Sequence, residues 1–215
     1  MLGLAVSAFA ASKESCDRRI QNMIGKLEVL QDKKEKAIPA EELRKAQGII
    51  LIDRTKAGIV FAYQGGKGVA LVRNEKTHKW GPAVFVSGSE ASLGLLGGGE
   101  ETFYAILLMN RDSFRMVKDS NFEFGAKVRG TAGQTSAGAK GTTQSADPVA
   151  LIYEDASGFY GGAEVSGDSI NPDDGANKAY YGPEITVKDI LAGEKVKPSD
   201  ATKELIKKLD QYAKK

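Results

Sequence analysis

Gly48-Ile49-Ile50-Leu51-Ile52, followed by Gly58-Ile59-Val60-Phe61-Ala62-Tyr63 and Val69-Ala70-Leu71-Val72, is a succession of short apolar runs rich in β-branched residues. Runs of this length, separated by polar and glycine residues, read as β-strands. Gln64-Gly65-Gly66-Lys67 lies between the second and third runs and reads as a hairpin turn, because glycine takes positive φ without steric cost. Further strands are predicted at 83–87, 91–96, 102–109, 122–131, 148–153 and 159–165. The glycine total agrees: 25 of 215 residues, with no three-residue period, excludes collagen and suits a β-rich fold with many turns and bulges.

Helical periodicity lies on both sides of this body. Ile20, Met23, Ile24, Leu27 and Leu30 recur at helical spacing, with Arg18, Arg19, Lys26, Glu28 and Asp32 between them, which predicts an amphipathic helix over 17–36. Lys33-Lys34-Glu35-Lys36 is expected to end it with charge that favours the helix dipole. Pro39 opens a second, short helix through Leu43, and 111–118 reads as another. After Tyr180-Tyr181-Gly182 come a helical turn ending at Leu191-Ala192-Gly193 and a final helix. Ser199 or Asp200 caps that helix, and Leu205, Ile206, Leu209 and Tyr212 form its apolar face. Residues 130–147 hold no large apolar side chain and read equally as a loop or a thin strand. The predicted fold is α+β: a Gly-rich, mainly antiparallel β body with an N-terminal amphipathic helix and a C-terminal helix. No linker divides 12–215, so these residues form one domain.

Residues 1–11 (MLGLAVSAFAA) are apolar, and Ala8-Phe9-Ala10 resembles a signal-peptidase site, although no cationic stretch precedes the run. The segment reads as a signal-peptide remnant, or else as a non-polar extension or first helical turn. Export to a periplasmic or extracellular location follows from the first reading, and a cytoplasmic, membrane-peripheral location from the others.

A charged fraction of 27% and a net charge of +2 describe a globular chain with no field that would steer it to nucleic acid. One Cys, one His and one Trp exclude an internal disulfide and zinc sites of the usual Cys/His spacing. A catalytic triad would have to use His78, which sits among Asn74, Glu75, Lys76 and Lys79 in a solvated turn. Asn171-Pro172-Asp173-Asp174-Gly175-Ala176-Asn177 fails as a calcium loop, because Ile170 and Pro172 would occupy ligand positions, and it reads as a turn before a helix. Gly65-Gly66-Lys67-Gly68 and Gly97-Gly98-Gly99 lack phosphate-loop spacing. Gly158, Gly161 and Gly162 are expected to hold a structural turn. Arg73, Lys76, Lys79 and Trp80 form either a basic-aromatic patch or a solvated hairpin end. The chain is expected to need no metal or cofactor.

Taken in order, several stretches resemble the SYLF domain, the lipid-binding and actin-binding module of certain yeast SH3 proteins. They are Ala46-Gln47-Gly48, Gly66-Lys67-Gly68-Val69, Trp80-Gly81-Pro82-Ala83-Val84-Phe85-Val86 and Leu107-Leu108-Met109-Asn110. Tyr153, Ser157-Gly158-Phe159-Tyr160-Gly161-Gly162, Asn177, Tyr180-Tyr181-Gly182 and Ile190-Leu191-Ala192-Gly193 complete the set. The likeness covers about residues 17–193, as a stand-alone, bacterial-type member.

The resemblance implies a non-enzymatic module that binds phosphoinositide or another anionic lipid and associates peripherally with membranes. Within this chain the lipid-binding cations would be Arg18, Arg19, Lys33, Lys34 and Lys36, and the membrane-facing apolar residues Ile20, Met23, Ile24 and Leu27. The alternative is a protein-interaction module binding actin-like filaments or a cell-envelope partner.

Overall fold

The computed structural model describes residues 11–58, 61–93, 96–110, 122–125, 136–137, 150–162 and 167–214. Ser12 opens α1 (Lys13–Asp32) with a reciprocal capping box to Ser15. The helix exists because Cys16, Ile20, Met23, Ile24, Leu27 and Leu30 recur on one face, and all six are buried. It stops at Asp32, where Lys33 turns extended. The lysine run therefore follows the helix and does not form its last turn, which corrects the expected span of 17–36. Pro39 caps α2 (Ala40–Lys45) from the position where its missing N–H is harmless.

Eight strands among the described residues form one antiparallel sheet. They are β1 (Gly48–Gly58), β2 (Phe61–Val72), β3 (Val84–Leu93), β4 (Leu96–Leu108), β5 (Phe122–Gly125), β6 (Ser136–Ala137), β7 (Ala150–Gly162) and β8 (Gly167–Pro172). Their spatial order is β5-β8-β3-β2-β1-β4-β7-β6. Three helices follow: α3 (Asp174–Tyr181), α4 (Val187–Ala192) and α5 (Asp200–Tyr212). The α+β expectation is borne out, with helices at both chain ends packed against a β body.

Where the glycines lie, the strands are longer than their sequence suggests. β2 runs straight through 64–67, with Gly66 opposite Arg54 and Gly65 opposite Thr55, so the predicted hairpin turn there is replaced by ladder. The β1–β2 ladder continues to the Gly58–Ala62 pair. The predicted strands 83–87 and 91–96 become a single β3 that ends at Leu93, and 148–153 and 159–165 fuse into β7. Gly158, Gly161 and Gly162 pair with Glu100, Gly97 and Leu96, which corrects the structural turn expected of them. At Gly68 the reason for a glycine within the ladder is close approach. A Cβ on Gly68 would lie 2.1 Å from the Leu51 carbonyl oxygen and 2.7 Å from Ile52 Cα, so a side chain has no room in the ladder there. The 59–60 and 94–95 connections, the predicted helix 111–118, most of 130–147 and residues 1–10 lie outside the described residues.

The apolar half of the sheet is covered on both faces, which is why Ile49–Ile52 reads as a continuous run and not as an alternation. Ile49, Leu51, Val69, Leu71, Phe85 and Leu107 meet the stripe of α1 together with Leu205 and Leu209 of α5. Ile50, Ile52, Ala70, Val84, Val86 and Ile106 face the other way, toward Ile170 and Ile190. Ser199 caps α5 by accepting from the Thr202 N–H, as expected, and Gly193 ends α4 in the left-handed conformation at φ 66°.

Candidate binding surface

The five cations and four apolar residues singled out along 17–36 are placed differently by the fold. Ile20 and Leu27 are fully buried, and Met23 and Ile24 are 2% and 4% exposed. In this fold the stripe packs on the sheet. Burying such side chains stabilises by roughly 1.5–3 kcal/mol each, so these four make a large contribution to the core. Val29, 50% exposed, is the one large apolar side chain that stands out in solvent among the described residues.

Three of the cations are held by carboxylates of the same chain. Arg19 pairs with Asp173 at 2.9 Å, and its guanidinium lies 5.4 Å from the centroid of the Phe85 ring. Lys33 and Lys36 both reach Asp155 on β7, at 2.6 and 3.4 Å. Burial works against the Asp155 charge, yet these two lysines outweigh it and lower its pKa. Arg18 and Lys34 are exposed and make no ion pair among the described residues.

Lys26, between these pairs, meets Asp53 on β1 at 3.1 Å and also contacts Glu101 on β4. Burial raises the Asp53 pKa against the pull of Lys26, whereas the hydrogen bond from Lys26 lowers that of Glu101. One Asp53 oxygen, Oδ1, is buried with no hydrogen-bond partner among the described residues.

Beside this cluster, a groove of about 1080 Å³ runs between the amino-terminal half of α1 and strands β1, β2 and β3. Arg18, Arg19 and Asn22 line its helix wall, Lys67 and Ser87 its strand wall, and Asp53 its floor. The sequence reading did not single out Asp53 or Lys67 as site residues. Asp53 follows the apolar run 49–52 at a core-facing position, and that break in the pattern was the available signal. Lys67 stands directly opposite it in the ladder.

The second candidate patch is structural. Arg73 stacks over Trp80 at 4.0 Å and donates to the carbonyls of Ala46 and His78, which fastens the base of the β2–β3 connection. Asn74 Oδ1 accepts from the backbone N–H groups of Lys76 and Thr77 in a polar, exposed turn, and His78 sits there in solvent at φ 55°. This is the solvated hairpin end. A cleft of about 380 Å³ lies between this connection and α4, with Val72, Leu191, Lys76 and Lys188 in its walls. In the 171–177 stretch, Asn171 and Pro172 end β8, Asp173 caps α3 and Asn177 is buried against β3, so strand passes to helix through Asp173 alone and the expected turn is corrected. No group of three or more His, Cys, Asp or Glu with metal-ligand geometry occurs among the described residues.

Comparison with known proteins adds to this geometry. The family model described as Ysc84, Las17-binding protein actin regulator, matches residues 89–212. The chain belongs to the Ysc84 family. The match contains the 153–193 motifs on which the SYLF resemblance most depends. Among Ysc84 relatives, LAS seventeen-binding protein 3 of Saccharomyces cerevisiae is 30% identical over 183 residues, covering 83% of this chain and 39% of the relative. Protein YSC84 of the same yeast is 29% identical over 187 residues, with the same coverages. The human SH3 domain-containing YSC84-like protein 1 is 26% identical over 190 residues, covering 84% of this chain and 53% of the relative. The chain thus spans between two fifths and about half of these Ysc84 relatives. No solved structure matches it significantly.

Proposed function

We propose that this chain is a non-enzymatic binding module of the Ysc84 family whose partner is a protein of the actin-regulating kind, recognised through the polar surface around α1. The observation that carries this reading is the complete burial of the α1 stripe, with Leu27 at 0% exposure. It supports a polar contact surface on this helix, with the cations and the groove outward. The family description and the name LAS seventeen-binding protein 3 support a protein partner. Co-sedimentation of the full chain with actin filaments, in parallel with vesicles of neutral and anionic lipid, tests it. Pelleting with filaments, weakened by salt, is the expected result. Pelleting with anionic vesicles and not with filaments overturns it.

A second reading keeps the anionic lipid, phosphoinositide included, as the partner. Arg18 and Lys34 favour it, since both are exposed and unpaired among the described residues and each is worth roughly 1 kcal/mol near an anionic surface. Attachment of this kind is electrostatic and peripheral, without insertion. The anionic vesicles of the same experiment report on it.

A further inference from the structure

We infer that the groove between α1 and strands β1–β3 binds an extended acidic segment of a protein partner. This inference rests on the protein-binding reading above and names the chemistry of the bound segment. Charge is the first support. Of the cations on the groove walls, Arg19 is matched by Asp173, and nearby Lys26 is matched by Asp53 and Glu101. Arg18 on the helix wall and Lys67 on the strand wall make no ion pair among the described residues. Glu14 lies one helical turn from Arg18 and Asp53 lies opposite Lys67, yet neither cation is held in an ion pair among the described residues. The channel therefore carries available positive charge on both walls, which favours an occupant carrying carboxylates at more than one position.

The spacing of an extended polypeptide suits the two walls, because its side chains alternate at ~3.3 Å per residue and reach both sides of the channel. Asn22 and Ser87 add neutral hydrogen-bonding groups along the same channel. Shape is the other support: α1 and strands β1–β3 border a channel of about 1080 Å³, a concave form that suits a segment better than a planar surface.

The test uses the full chain and a fluorescein-labelled, end-blocked hexaglutamate peptide, with hexaglutamine as the neutral control, followed by fluorescence polarisation at low and physiological salt. Arg18→Glu/Lys67→Glu is expected to weaken binding of the acidic peptide by at least about tenfold, since it reverses both unpaired wall charges. Lys79→Glu, in the exposed turn outside the groove, should change it by less than about twofold, because an isolated exposed charge is largely screened. Thermal midpoints identify folded variants. Equal losses in the two variants, or no preference of the parent for hexaglutamate over hexaglutamine, overturn the groove assignment. So does a double variant that loses anionic-vesicle binding while keeping the peptide. Filament co-sedimentation of the same proteins separates the two readings. Filament binding that survives in a chain unable to hold the peptide sinks the groove alone, and groove-dependent peptide binding without filament binding sinks the actin reading alone.

Discussion

The side-chain amide of Asn177 binds both backbone groups of Phe85. The Phe85 N–H donates to Asn177 Oδ1 at 2.9 Å, and Nδ2 donates to the Phe85 and Asp173 carbonyls at 2.9 and 3.0 Å. The β3–β8 ladder ends at the Val86–Pro172 pair, one step earlier, so a helical side chain continues a strand. This seats α3 on the sheet, with the Tyr180 ring edge-on to Phe85 at 4.9 Å. It also places Asp173 where Arg19 reaches it, which positions one wall of the groove.

Asn177→Ala should therefore cost more than an ordinary polar truncation. It leaves the buried Phe85 N–H without an acceptor, a loss of about 1–3 kcal/mol. Asn177→Asp keeps that acceptor but sets a second oxygen against two carbonyls, and is expected to be worse. Urea midpoints at constant m-value measure both.

The α1 stripe is a core element, and truncation within it should behave accordingly. Ile20→Ala and Leu27→Ala are each expected to lose about 2–5 kcal/mol. Val29→Ala, on the open side of the same helix, should stay within about 0.5 kcal/mol. Chemical denaturation of the three variants checks this. Similar small losses in all three would mean that the helix does not pack on the sheet as described.

Two glycines should respond in opposite directions to the same substitution. A Cβ at Gly68 collides with the backbone of β1, so Gly68→Ala is expected to abolish or severely weaken folding. Gly25 lies within α1 with nothing within 4 Å of the added atom. Gly25→Ala should raise stability by about 0.5–1 kcal/mol through helix propensity and reduced unfolded-state entropy. Expression yield and thermal midpoint report on the pair.

Asp155 has its folded-state pKa lowered from 3.8 because Lys33 and Lys36 outweigh its burial. A carboxyl lowered on folding contributes stability above its unfolded value and loses it as pH falls through the folded value. Asp155→Asn should thus be less stable than the parent near neutrality, with the gap closing in acid below 3.8. Asp53 has the opposite sign: burial raises its pKa, so its contribution is fully present below its unfolded value and fades as pH rises through the folded one. Urea midpoints of parent, Asp155→Asn and Asp53→Asn across the acid range resolve the two slopes.

Most element types are legible in the order of residues, because local periodicity carries them. The 3.6-residue recurrence from Cys16 to Leu30, the caps at Ser12 and Ser199 and the β-branched runs of 49–52 and 69–72 each use short-range chemistry. Glycine is where local reading fails. Its permissiveness makes it look like a turn former at 65–66 and 161–162, yet in each place a neighbouring strand lies alongside it. Contacts between residues distant in sequence decide which use prevails.

The candidate site divides in the same way. An amphipathic stripe with cations beside it is a property of the sequence from Arg18 to Lys36, and it suits a membrane or a sheet equally well. In the tertiary structure β1, β2 and α5 bring their own apolar residues to the stripe, and Asp155 and Asp173, more than a hundred residues away, take up Lys33, Lys36 and Arg19. Sequence alone determines that this chain has an apolar helix and a glycine-rich sheet. Only folding decides that the helix is spent on that sheet, leaving Arg18 and Lys67 to face each other across a groove, because burial and ion pairing depend on which surfaces meet.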